Sequence, residues 1–234
     1  MPNPVSRLIA LIGLIISSPI AFISSAVIRI SSRGPVLHRA CRAGKDGQLF
    51  TMFKFRTMHV GAERRGGRIT SGRDPRVFAV GRGLRRLKLD ELPQLINILR
   101  GDMAIVGPRP EDPAIVEEHY TPFMRQTLRV LPGLTSPGSL DYYACEVALP
   151  EDPVDAELVY VQELLLKKIA LDMVYVEHRT WRYDVELIAR TILGIIGVHR
   201  IFPKRQTWER EEASRLQGAA QSLRGQAIGH GDRL

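Results

Sequence analysis

Apolar residues run almost unbroken from Leu8 to Ile28 (LIALIGLIISSPIAFISSAVI) and carry no charge. As a helix, at about 1.5 Å per residue, this run reaches roughly 30 Å, the depth of a bilayer's hydrocarbon core. A cleaved leader, a spanning helix and a helix that dips in and returns all use such a run. No small-x-small cleavage pattern ends it before Arg29. Ser17-Ser18-Pro19 sits near its middle. Proline there removes a backbone hydrogen bond and bends the helix, and a neighbouring serine hydroxyl can serve the freed carbonyl. Both flanks are basic, with Arg7 before the run and Arg29 and Arg33 after it, and basic residues prefer the cytoplasmic side. Residues 1–33 therefore read as a membrane segment. A re-entrant helix broken at Ser18 and Pro19 satisfies both observations.

Downstream the period changes. In residues 47–58 (GQLFTMFKFRTM), Phe53 and Phe55 alternate with Lys54 and Arg56, a strand with rings on one face and cations on the other. Residues 61–76 are rich in Gly and Arg and read as a loop, with Arg64, Arg65, Arg68 and Arg73 meeting solvent or lipid headgroups. Leu92, Leu95, Ile96 and Leu99 follow at i, i+3, i+4 and i+7 and predict a short amphipathic helix. Pro93 fits its first turn, and Arg100 and Gly101 close it. Residues 131–139 (LPGLTSPGS) read as another Pro/Gly loop. Asp155 to His178 is helical, with Leu158, Val161, Leu165, Ile169 and Met173 among the apolar positions. A further helix, Val185 to Val198, is too short and too charged to span a bilayer. Its Leu187, Ile188, Ile192, Ile195 and Ile196 are expected to pack on the core, with an interfacial position beside Trp181 as the alternative. Beyond about Lys204 the chain turns polar, and residues 205–234 read as a frayed helix and a disordered tail. The pattern is that of an α+β, helix-rich fold spanning residues 34–204, with a short β element and amphipathic interfacial helices.

Charge narrows the partners without choosing among them. The net charge is +8 and the pI near 9.9, which suits an anionic membrane surface, phosphorylated small molecules or nucleic acid. Aromatic residues make up only 6% and no nucleic-acid motif occurs, so nucleic acid is the weakest of the three. Cys41 and Cys145 stand in no metal-ligand spacing, and nothing requires them to pair.

The most informative stretch is residues 87–111, LKLDELPQLINILRGDMAIVGPRPE. It sets Asp90 and Glu91 at a predicted helix start, where partial positive charge stabilises carboxylates and attracts phosphate. An isolated pair of this kind commonly does no more than cap its helix. Here Arg82, Arg85, Arg86 and Lys88 crowd its approach, either as structural ion pairs or as a site for a polyanion. Just downstream, Gly107-Pro108-Arg109-Pro110 places prolines on both sides of Arg109. A guanidinium held in a fixed direction is what bidentate phosphate recognition needs.

Taken in order, the apolar segment with its central Ser-Pro, KFRTM, DPR, LDELPQLINILRGDM, VGPRP, PGLT and LDMVYVEHRTWRYDVELIARTI resemble the bacterial sugar transferases. More specifically, the chain resembles the monotopic phosphoglycosyl transferases in their small, catalytic-domain form, with 34–204 as the catalytic domain. The resemblance implies transfer of a sugar-1-phosphate from a UDP-sugar to polyprenyl phosphate, with release of UMP. It implies a re-entrant helix and an active site at the cytoplasmic face of the bacterial inner membrane, in contact with membrane lipid, and it leaves room for a homodimer. Carried over by residue, Asp90 is the nucleophile that forms a phospho-sugar enzyme, and Glu91 beside it helps hold Mg²⁺. Arg109 contacts phosphate or nucleotide, with Lys54, Arg56 and Arg86 in supporting electrostatic roles. The chain departs from the pattern at Ala40, where the family usually has glutamine. It departs again after Thr135, where Ser136-Pro137-Gly138-Ser139 replaces the usual Gly and later Gln and leaves the sugar unassigned.

The chemistry stands without the family. A pyrophosphate resists anionic attack until a divalent cation and arginines neutralise its oxygens. One carboxylate serves the metal while its neighbour attacks. A membrane-anchored scaffold that binds polysaccharide enzymes without turning over substrate is the rival from another class; the intact Asp90-Glu91 pair beside Arg109 favours the enzyme.

Overall fold

In the computed structural model, which describes residues 4–146, 148–195 and 207–229, the uncharged N-terminal run forms one continuous helix, α1 (Pro4–Ser31). Pro19 lies inside it. The Ser18 hydroxyl donates to the Ile15 carbonyl at 2.8 Å, the acceptor that proline at i+4 leaves without a donor. Among the described residues α1 is the one helix long and apolar enough to cross a membrane. It nevertheless stays on the protein body at both ends. Near its start the Arg7 guanidinium reaches the Arg100 carbonyl at 3.5 Å, and Ala10 packs with Ala40, Met52, Ile98 and Met103. Near its end Ile28 packs with Phe55, Phe78 and Leu84. Ile15, Ile16, Phe22, Ile23 and Ile30 remain exposed along it.

Two strands, β1 (Leu37–Ala43) and β2 (Leu49–Phe55), form an antiparallel hairpin in which Leu37 faces Phe55 and Ala43 faces Leu49. The turn between them uses Asp46 and Gly47 at positive φ. The Gly/Arg segment after it is ordered by a buried ion pair that the sequence did not announce. Arg76 holds Asp74 at 2.7 Å and donates to the carbonyls of Gly66, Gly67 and Ile69. Arg68 and Arg73 meet not lipid but Glu157 and Glu151.

Helix α2 (Ala79–Arg86), a single tight turn over Leu89–Glu91 and helix α3 (Gln94–Arg100) follow. The apolar stripe predicted for α3 is half-buried, with Leu95 and Leu99 against the cluster around Ala10 and Met52, and Leu92 against the cluster around Ile28 and Phe55. Gln94, Asn97 and Ile98 are buried, while Leu95 packs beside Gly13 of α1. Hydrogen bonding accounts for the buried polar position Asn97. Fully buried, it accepts from the Phe53 amide at 3.0 Å and donates to the Thr51 carbonyl at 2.7 Å, stitching α3 to β2.

Strand β3 (Ala104–Val106) comes next, followed by α4 (Pro113–His119). The stretch read as a second Pro/Gly loop contains a strand instead, β4 (Gly133–Thr135), which pairs parallel with β3, Val106 opposite Thr135. A Cβ on Gly133 would fall 2.1 Å from the Gly107 amide nitrogen, so glycine is what lets these two backbones meet. After α5 (Pro137–Glu146), the long predicted helix appears as α6 (Pro153–Val159) and α7 (Leu165–His178), joined by a π turn over Tyr160–Leu164.

Helix α8 (Trp181–Ile195) buries Tyr183 and Leu187 but leaves Trp181, Val185, Ile192 and Ile195 exposed. Core packing, the expectation for this helix, therefore holds on one side only. Ile196 to Val198 and the proposed boundary at Lys204 lie outside the described residues. The helix expected in the polar tail is longer than a frayed end: Thr207–Gly229 forms α9. Its Ala213 packs with Ala170, Leu171 and Val174 of α7. Glu209, fully buried, accepts from the Tyr183 hydroxyl and from Arg190 at 2.9 Å. Trp208 adds ring contacts with His178 and Tyr183.

Candidate active site

The chain enters the carboxylate pair through Lys88, whose φ of 55° and ψ of 19° reverse its direction at the end of α2. Asp90 and Glu91 then occupy the Leu89–Glu91 turn, both buried, and Pro93 precedes α3 as its cap. The pair thus lies before the helix and not in its first turn. Its compensating charge comes from side chains rather than from a helix terminus.

Glu91 is the better provided. Arg109 grips it with both guanidinium nitrogens, at 2.5 Å and 3.4 Å, and Lys54 of β2 stands at 3.5 Å. Burial pushes the Glu91 carboxyl up, but Arg109 and Lys54 outweigh it and hold the group well below the usual carboxylate range. Burial in turn brings the Lys54 ammonium down to about 8, against the opposing pull of Glu91. Asp90 moves the other way. Burial first and then Glu91 raise it above its ordinary value, against Lys54, Arg85 and Lys88. Its Oδ1 is buried without a hydrogen-bond partner, as is Nε2 of Gln94. Two adjacent carboxylates pushed apart in this way are suited to different tasks.

Arg109 is aimed by its surroundings. Its amide donates to Asp172 at 3.3 Å, and its guanidinium donates to the Tyr143 hydroxyl at 3.1 Å. Asp172, fully buried on α7, also accepts from the Gly138 amide at 2.9 Å, so the unusual Ser136–Ser139 segment is folded around it. Next along the chain, Glu111 forms a buried network with Lys168, at 2.7 Å, and with the Tyr160 hydroxyl that the π turn presents. Asp172 and this network were missed in the sequence. Their one signal was that Lys168 and Asp172, four residues apart, are charged positions within the mostly apolar stretch Leu165–Val176.

The other candidates separate. Arg56 is buried, and its guanidinium is spent on the Pro35, Ser32 and Met58 carbonyls and the Ser32 hydroxyl. It ties the end of α1 to the hairpin, a structural post in place of the electrostatic one expected. Arg86 is exposed at the rim, whereas Arg85, bonded to Thr57 Oγ1 at 2.9 Å, and Lys88 are the α2-end cations whose charges act on Asp90. Ser18 and Pro19 lie in α1, away from the carboxylates. Cys41 is free and exposed. Lys54, Asp90, Glu91, Arg109 and Tyr143 line one cleft of about 2170 Å³. Its size and cationic lining suit a bulky polyanion.

Comparison with known proteins agrees with this chemistry. The family described as bacterial sugar transferase matches residues 3–197. The putative undecaprenyl-phosphate N-acetylgalactosaminyl 1-phosphate transferase of Bacillus subtilis (strain 168) is 43% identical over 109 residues, covering 47% of this chain and 61% of its own. The UDP-glucose:undecaprenyl-phosphate glucose-1-phosphate transferase of Escherichia coli (strain K12) is 32% identical over 186 residues, 79% of this chain and 38% of its own. The exopolysaccharide production protein ExoY of Sinorhizobium fredii is 40% identical over 147 residues, 55% of this chain and 63% of its own. The chain spans less than two thirds of the length of these curated relatives.

Asp172 generates a pH prediction. Burial raises its carboxyl from 3.8 to about 6, so the folded chain keeps a proton that the unfolded chain has lost. Its contribution to stability is present below about pH 4, falls as pH rises through 6, and is flat above, with an amplitude up to about 3 kcal/mol. Denaturation of the detergent-solubilised protein should show this slope, and Asp172→Asn should remove it. An unchanged slope in the variant would assign it to other groups.

Proposed function

The chain belongs to the bacterial sugar transferase family, and on that footing we propose that it moves a sugar-1-phosphate from a UDP-sugar to undecaprenyl or a related polyprenyl phosphate. The observation that carries this reading is the oppositely biased pair, Asp90 unpaired at Oδ1 and Glu91 held ionised, within a ring of cations.

In the first step Asp90 Oδ1 attacks the phosphorus that bears the sugar. The Asp90 O–P bond forms, the pyrophosphate P–O bond breaks, and UMP leaves with the bonding electrons. In the second, an oxygen of the polyprenyl phosphate attacks the same phosphorus and Asp90 is released as a carboxylate. A buried carboxylate with a raised proton affinity is a stronger nucleophile once ionised, and surrounding cations keep enough of it ionised. Arg109 offers its fork to the donor's phosphate in exchange for Glu91, and Lys54, Arg85 and Lys88 offset charge on the leaving group.

Mg²⁺ suits this donor set, because Glu91 is held anionic in the same turn as a second carboxylate, Asp90. Glu91, with Asp90 beside it, would hold the ion, whose chemistry is to neutralise pyrophosphate oxygens. The lipid acceptor accounts for α1. Both its ends touch the body, the freed Ile15 carbonyl is served by Ser18, and both flanks are basic. These features support a re-entrant helix with the cleft on the cytoplasmic side of the inner membrane, residues 34–204 forming the catalytic domain. An intact nucleophile site weighs against a purely scaffolding role.

Two results are expected. Purified protein with Mg²⁺, undecaprenyl phosphate and a panel of UDP-sugars should release UMP with at least one donor. Asp90→Asn should lower that rate by at least about 10³-fold, since an amide is a poor nucleophile; near-normal turnover in the variant ends the mechanism. Separately, single cysteines placed at Val5 and Ser32 should both label from the cytoplasmic side. Labelling from opposite sides contradicts the re-entrant reading.

A further inference from the structure

Helix α9 begins at Thr207, beyond the residues 3–197 that match the family, and its sequence is mostly polar. Yet Glu209 in its first turn is fully buried, a place a carboxylate holds only when it is paired. Its partners come from one face of α8. Glu209 Oε1 accepts from the Tyr183 hydroxyl and from Arg190 Nη1 at 2.9 Å, and Oε2 accepts from Arg190 Nη2 at 3.2 Å. Glu186 stands 3.8 Å from the same guanidinium. Tyr183, Leu187 and Arg190 follow at i, i+4 and i+7, so one carboxylate grips α8 on either side of Leu187. Helix α9 is itself seated on α7 through Ala213, and Trp208 sets its ring against Tyr183 and His178.

What α8 meets at Leu187 is the last rung of the parallel strand pair. Leu187, fully buried, packs in one cluster with Val106, Tyr175 and Tyr183. Thr191, one turn on, donates to the Leu187 carbonyl at 2.7 Å, which leaves the Thr135 hydroxyl to donate to Thr191 Oγ1 at 2.6 Å. The Tyr175 hydroxyl lies 3.2 Å from the Val106 carbonyl and 2.8 Å from Asp184 Oδ1 of α8. Val106 and Thr135 are register partners in β3 and β4, and Arg109 is three residues beyond Val106. Trp181, Val185, Ile192 and Ile195 are exposed, so the contacts that fix α8 come from its inner face.

We propose that Glu209 is a positioning residue. By clasping α8 it seats that helix on the Val106–Thr135 rung, and so holds the turn at 107–109 in the direction from which Arg109 serves the transfer. This rests on the role of Arg109 in the proposed function. An element outside the matched family region thereby helps to aim a residue inside it.

The geometry is tested without donor or acceptor. Hydrogen exchange of the intact detergent-solubilised protein is followed by mass spectrometry in peptides covering 181–195, 104–110 and 37–55. Glu209→Gln removes the charge that Arg190 meets. It should speed exchange at least about tenfold in 181–195 and in 104–110, and less than about twofold in the hairpin peptide 37–55. Faster exchange confined to 181–195, an equal rise in all three peptides, or no rise at all overturns the proposal. Should that variant not fold, Tyr183→Phe, which removes one donor to Glu209, is read by the same rule with a threshold of about threefold. The consequence is tested by turnover. Glu209→Gln should lower kcat at least about tenfold in the parent, but less than about twofold in an Arg109→Lys background, where the residue it aims is already changed. Equal losses in both backgrounds overturn the proposal, because general damage to the fold acts whether or not Arg109 is present. Absence of turnover in the parent with every donor counts against the proposed function, and the exchange measurement then decides this inference alone.

Discussion

Two carboxylates cannot be buried side by side unless something else in the protein accommodates their charge. That constraint organises the molecule. Lys54 comes from the hairpin, Arg85 and Lys88 from the end of α2, and Arg109 from the proline-flanked turn after β3, and each acts on the Asp90-Glu91 pair from a separate segment. The small sheets and short helices between them have little regular structure of their own. Their arrangement makes sense as the means of delivering four cations to one turn.

The supports behind the cations are buried polar groups, each with its partners supplied. Asp172 accepts the Arg109 and Gly138 amides, Glu111 is met by Lys168 and Tyr160, and Asn97 binds α3 to β2. Such groups are costly unless satisfied and position their neighbours firmly when they are. The membrane helix joins the same scheme at its far end, where Arg56 draws four oxygens from Ser32, Pro35 and Met58 around one guanidinium. The apolar helix and the hairpin are thereby tied together through one guanidinium.

Local signals were legible in the sequence wherever chemistry and spacing coincide. The uncharged run became α1, KFRTM contributed a strand with Lys54 inward to the site, and Asp90, Glu91 and Arg109 came together. What failed had long-range causes. The apolar stripe of α3 was found but not the polar position buried beside it, because Asn97 is buried for its hydrogen bonds, which hydrophobic periodicity does not register. Gly133–Thr135 read as loop because its partner strand, β3, lies about thirty residues away in sequence. The extent of the helix over Thr207–Gly229 was not legible because its docking uses the buried carboxylate of Glu209, with donors on α8, and the small residue Ala213 against α7. Arg86 was chosen over Arg85 since neighbours in sequence cannot be told apart until the helix phase is known.

The central claim is that Asp90 becomes covalently bonded to the transferred group. Intact-protein and peptide mass spectrometry, after mixing with a UDP-sugar and Mg²⁺ but no lipid acceptor, tests it most directly. The account predicts a mass gain of one sugar phosphate, mapped to Asp90 and discharged when polyprenyl phosphate is added. UMP release that proceeds only with acceptor present, with no adduct at Asp90, would mean direct transfer between substrates and would contradict it.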